Sequence, residues 1–124
     1  METKPERTGE RASEYSLWHR QLGSGCYAVD VDWVEYRFNR GIVAFICATS
    51  RFNSEQHLIN SKPMVFARTE LERKIVKQLS EVMKVPAFFV MHLTDLSLFH
   101  VYDLSSMTFK VMNKEEYGDF IKKL

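Results

Sequence analysis

The stretch that decides the fold is residues 26–49, CYAVDVDWVEYRFNRGIVAFICAT. Residues 26–37 are rich in Tyr, Val and Trp, and residues 42–49 are apolar and β-branched. Both read as strands. Phe38-Asn39-Arg40-Gly41 lies between them and carries the turn residues of a hairpin. Side chains alternate along a strand, so Asp30 and Asp32 share one face while Val29, Val31 and Trp33 point to the other. A hairpin turning about Asn39 and Arg40 sets Asp32 beside Cys47 and Asp30 beside Thr49. A slip of one residue would reverse that relation. Aspartate is a poor strand former, and two carboxylates on one face repel. A chain that keeps both either leaves them in water or supplies something positive. The cation can be a metal, an Arg or Lys, or a group of a substrate. Magnesium and manganese favour such oxygen ligands.

Outward from this hairpin the pattern is mixed. Residues 13–22, SEYSLWHRQL, read as a short helix that Ser13 can cap, with Leu17, Trp18 and Gln21 at helical spacing; Gly23-Ser24-Gly25 then breaks the chain. Residues 50–63 are polar and read as a loop or short extension. From Thr69 to Lys84 the period is helical, with Leu71, Ile75, Leu79 and Val82 in one stripe. Thr69 followed by Glu72 has the form of a capping box. Ala87–Leu93, AFFVMHL, is a continuous apolar run that predicts a buried strand. LFHVYD at 98–103 and MTFKVM at 107–112 predict two more, and Asn113 opens a last helix with acids early and lysines late. The fold class expected is α/β (α+β mixed), with a central mixed β-sheet, helices on both faces and the order α-β-β-α-β-β-β-α.

The chain has 124 residues, room for one domain. Residues 1–12 are polar and read as a disordered tail, leaving 13–124 as the domain. The apolar fraction is 45% and the charged fraction 27%, ordinary globular values that exclude a disordered or collagen-like chain. The formal net charge of +1 does not carry the signature of a nucleic-acid binder and favours a protein partner over DNA. Cys26 and Cys47 have no zinc spacing and read as buried, reduced thiols. No apolar run has the length of a membrane helix and the first twenty residues are no leader, so the expected location is the cytoplasm, the host's for a viral chain, with no membrane partner.

The run from Ser16 to Thr49 resembles the core of the restriction-endonuclease-like superfamily, the PD-(D/E)XK nucleases, and is most similar to small phage and archaeal-virus members. In those a helix bearing His-Arg precedes a strand with Asp-x-Asp, and a hairpin leads to an apolar strand ending in Glu-x-Lys. The matching residues are His19-Arg20, Asp30-Val31-Asp32 and Ile42 to Thr49. Cys47-Ala48-Thr49 stands where Glu-x-Lys is expected, so the motif is degenerate. The resemblance implies a Mg or Mn site on Asp32 and Asp30, which Glu14 of the first helix completes, and phosphodiester hydrolysis by metal-activated water. It also implies nucleic acid as partner and a homodimer that presents two sites to two strands. Positive charge for the phosphate would come from His19, Arg20 and Arg51, and from the basic face of Arg68, Arg73, Lys74 and Lys77. Two alternatives stand beside it: an inactive nuclease-fold protein serving as a protein-interaction or assembly module, and a small α/β interaction domain unrelated to nucleases.

Overall fold

A computed structural model describes residues 13–23, 25 and 31–124. The elements are α1 (Ser13–Arg20), β1 (Trp33–Arg37), β2 (Gly41–Phe52), α2 (Glu55–Arg68), α3 (Glu70–Met83), β3 (Ala87–Leu93), β4 (Phe99–Asp103), β5 (Phe109–Met112) and α4 (Lys114–Lys122). The described chain is therefore mixed α+β, with one five-stranded mixed sheet in the order β1-β2-β3-β4-β5. β1 and β2 are antiparallel, β2 and β3 parallel, and β4 and β5 extend the sheet as antiparallel neighbours. A parallel pair needs a long crossover, which α2 and α3 supply.

The hairpin forms as its residues dictate. Arg40 N donates to Arg37 O at 3.1 Å, and Gly41 takes φ +83°, a backbone that a side chain would strain. The register pairs Trp33 with Ile46, Val34 with Phe45 and Glu35 with Ala44, then skips Val43 to pair Tyr36 with Ile42. The extra residue sits on β2, so β1 keeps its alternation, with Val34 and Tyr36 on one face and Trp33, Glu35 and Arg37 on the other.

One face of the sheet, through Phe45, Cys47, Phe89, Met91 and Tyr102, packs with Leu58, Val65, Phe66, Val76 and Leu79 of α2 and α3. The other, through Ala44, Ile46, Phe88, Val90, Phe99 and Val101, packs with Tyr117, Phe120 and Ile121 of α4. α4 is capped as its sequence suggests, Asn113 and Glu116 forming a reciprocal capping box.

Three expectations are corrected. Residues 50–63, expected as a loop or short extension, instead end β2 and form most of α2, so the crossover holds two helices and the order differs from that expected. Ser54 caps α2 by accepting from His57 N, and its apolar stripe of Leu58, Val65 and Phe66 is sparse and interrupted by Pro63, which weakened the helical signal. Second, α3 is rotated from the expected phase. Val76 and Ser80 are its buried residues, while Leu71 is 42% and Val82 78% exposed. Third, Thr69 makes no side-chain cap. Its hydroxyl donates back to Val65 O at 2.8 Å and accepts from Arg73 Nε at 3.2 Å, because Thr69 also ends α2. The expected tail over residues 1–12 and the strand residues 26–30 lie outside the described residues.

Candidate functional site

The expected proximity of Asp32 and Cys47 is met. β1 begins at Trp33, and one residue before it the Asp32 carboxylate accepts from Ala48 N at 3.0 Å. The side chain stands where a neighbouring strand's carbonyl would otherwise continue the ladder. Asp32 is exposed and Cys47 buried. Burial pushes the Cys47 thiol up to about 12; the charge of Asp32 and its hydrogen bond add to this, as does the charge of Glu72, while Arg73 opposes them. The thiol is therefore protonated throughout the physiological range, and it is the thiolate that ligates metals and attacks electrophiles.

Glu72, expected as a capping-box acid, and Arg73, expected on the solvent-facing basic face, both lie near Cys47 instead. Helix α3 carries both over β2. Glu72 Oε2 is buried without a hydrogen-bond partner. Arg73 turns inward: its guanidinium donates to Phe66 O at 2.5 Å and sits 4.8 Å from the Phe66 ring centroid. Its hydrogen-bonding capacity is directed at the crossover and not at solvent. The signal for Glu72 was the helix phase, since it lies one turn before Val76 on the sheet-facing side.

The remaining expected site residues are dispersed. Asp30 lies outside the described residues. Glu14 sits in the first turn of α1, and His19 and Arg20 in its last; α1 has no buried residue. Among the described residues no ion pair or hydrogen bond joins Glu14 to Asp32. Thr49 is partly buried, and Arg51 is exposed with φ +87°, where the β2–β3 register shifts. Arg68, Lys74 and Lys77 are exposed on α2 and α3. Among the described residues no group of three or more His, Cys, Asp or Glu side chains is placed to hold a metal ion, and no helix is long and apolar enough to cross a membrane.

Two further features lie away from Asp32. On the α4 face a groove of about 270 Å³ is lined by Trp33, Ile46, Val90, Phe99 and Tyr117, together with Glu35 and His92. Phe99 and Tyr117 stack at 4.2 Å, and burial, with the Glu35 charge, pushes the Tyr117 phenol up to about 12. On the α2 face His100 is 2% exposed and neither ring nitrogen has a hydrogen-bond partner. Glu55 Oε2 stands 3.5 Å from its Nε2, and Phe109 stacks on the ring. Burial, and then the charge of Lys62, hold His100 below its ordinary pKa of 6.5, against Glu55.

A folded-state pKa below the unfolded value means that the unfolded chain takes up the proton first as the pH falls. The contribution of His100 is complete above about pH 6.5 and is lost as the pH falls from there toward its folded pKa. Thermal unfolding is expected to show Tm falling between pH 7 and pH 5, and the fall is expected to be smaller in His100→Phe, which keeps the aromatic stack and removes the titration. Equal slopes in both proteins would show that another group governs the acid limb.

The class defined by this architecture is a mixed α+β domain whose five-stranded sheet is covered by a two-helix crossover on one face and a short helix on the other. No protein-family model matches the chain, and neither a curated protein nor a solved structure does.

Proposed function

We propose that this chain is a protein-association domain of nuclease-like architecture that does not hydrolyse phosphodiesters. The observation that carries the reading is the surface of β1 and its turn. Val34 is 46%, Tyr36 57% and, in the turn that follows, Phe38 77% exposed beside one face of a strand that is an edge of the sheet among the described residues, and Trp33 is 56% exposed on its other face. Isolated exposed apolar side chains are ordinary; a contiguous set along a sheet edge marks an association surface or an aggregation hazard. Near-neutral net charge supports a protein partner over nucleic acid.

The chemistry around Asp32 supports the same reading. A hard divalent cation takes anionic oxygens, and at the Cys47 position the chain offers a neutral, soft sulfur. Thr49 carries no positive charge for a developing phosphorane. Among the described residues, magnesium or manganese would therefore find near Cys47 only the carboxylates of Asp32 and Glu72.

The second reading, metal-dependent hydrolysis of nucleic acid, is favoured by one observation. Glu72 holds a buried, unpartnered carboxylate oxygen in the neighbourhood of Cys47 and Asp32. An assay separates the two. Single- and double-stranded DNA and RNA, incubated with the chain and magnesium or manganese, are expected to remain intact. Cleavage that Asp32→Ala abolishes, with the variant still folded, would replace the association reading by the hydrolytic one.

A further inference from the structure

The run Val34-Glu35-Tyr36-Arg37-Phe38 has a symmetry that a partner of arbitrary sequence would not require. Read from either end it is apolar, charged, aromatic, charged, apolar, with the two charges opposite in sign. We propose that β1 pairs antiparallel with β1 of a second copy of this chain about a two-fold axis at Tyr36, joining the two sheets into one. The proposal rests on the association reading and names its partner.

In that register Tyr36 faces Tyr36 of the second copy, Val34 faces Phe38, and each Glu35 faces an Arg37. Directly opposed residues share a face. Val34 and Tyr36 lie on the α2–α3 face, where Phe38 meets Tyr36 edge-on at 5.9 Å, so one apolar strip crosses the axis on that side. Glu35 and Arg37 lie on the α4 face. Within one chain Arg37 Nη1 donates to Glu35 Oε1 at 3.0 Å, and Nη2 to Ile121 O at 2.6 Å. Glu35 Oε2 forms no hydrogen bond among the described residues, so a second Arg37 across the axis completes a four-residue network. Each Arg37 then lies between two acids, and no like charges oppose one another. Any other antiparallel register loses this match. Centring on Glu35 sets two carboxylates face to face, and centring between Glu35 and Tyr36 sets Val34 against Arg37. An isologous interface of this kind closes at two copies and removes both exposed β1 edges.

Sedimentation of the intact chain tests it. At concentrations in the tens of micromolar the chain is expected to sediment at twice its 14.6 kDa mass. Tyr36→Lys, at a position more than half exposed, is expected to leave Tm of the protomer nearly unchanged and to weaken association at least about 10-fold, since it places two lysines on the axis. Glu35→Arg is expected to weaken it as well, and the double variant Glu35→Arg with Arg37→Glu to restore it, because the swap preserves the pairing. A wild-type monomer overturns the second-copy proposal; the association reading then still stands or falls by the hydrolysis assay. A dimer that persists unchanged in Tyr36→Lys overturns the axis, and a series of higher oligomers overturns the closed two-fold geometry.

Discussion

Cys47→Glu is expected to lower stability by roughly 3–5 kcal/mol at neutral pH, the range for an uncompensated charge placed in a protein interior. Cys47 is 4% exposed and packs with Phe45 and Phe89 under α3. A carboxylate there is desolvated and stands near two existing acids, Asp32 and Glu72, with Arg73 already engaged by Phe66 O and Thr69. Burial and like charge both favour the protonated form, so the pKa of the new acid in the folded chain rises above its unfolded value. The sign follows: the neutral acid is tolerated below the unfolded pKa, and stability is lost as the pH rises through the folded pKa. Denaturant titrations of wild type and variant are therefore expected to converge toward acid pH and to separate at neutral pH. Added manganese supplies the discriminating arm. If it returns Cys47→Glu to wild-type stability, and Cys47→Glu with Thr49→Lys then cuts DNA or RNA, the hydrolytic reading and its alignment gain the support they now lack.

Local physics explains which parts of this arrangement were legible in the sequence. The hairpin was, because Asn39-Arg40-Gly41 fixes the turn and strand alternation then fixes who faces whom. Trp33 pairs with Ile46, and Asp32 reaches Ala48 N beside Cys47. β3 was legible as an unbroken apolar run, and α4 through Asn113 and Glu116. α2 was not. Its polar composition and Pro63 weaken its local signal, and its place is set by tertiary contacts such as Phe66 against Phe89 and Tyr102. The phase of α3 was ambiguous for a different reason. Leu71, Ile75, Leu79 and Val82 make a respectable stripe, yet the sheet is met by Val76 and Leu79 on the side that also carries Glu72 and Arg73. The more apolar stripe is centred away from Glu72, the acid of α3 that acts on Cys47. The paired-aspartate idea is represented here by Asp32 alone, Asp30 lying outside the described residues.

Phe89→Ala is expected to have an effect of similar size by a different route. Phe89 is fully buried, pairs with Cys47 across the parallel strands and with Tyr102 on the other side, and lies 5.4 Å from the Phe66 ring. Truncation removes the apolar transfer term and leaves a cavity between the sheet and both crossover helices, a loss of roughly 3–5 kcal/mol. In a domain of this size that is a fall of about 10–20 °C in Tm. The Arg73 guanidinium, 5.8 Å from the Phe89 ring, loses part of the surface beneath it, so the damage spreads to the junction of α2 and α3. Phe38→Ala supplies the contrast. That ring is 77% exposed, and its loss is expected to change protomer stability by no more than about 0.5 kcal/mol. Thermal unfolding should therefore separate the two phenylalanines sharply. Sedimentation should rank them otherwise if β1 is a dimer strand, because Phe38 faces Val34 of the second copy there while Phe89 never reaches the surface. Two apolar clusters are already covered, one by α2 and α3 and one by α4, whereas the apolar side chains along β1 are exposed. A variant on β1 that weakens association while leaving Tm unchanged is the signature expected if that exposed set pairs with a second copy.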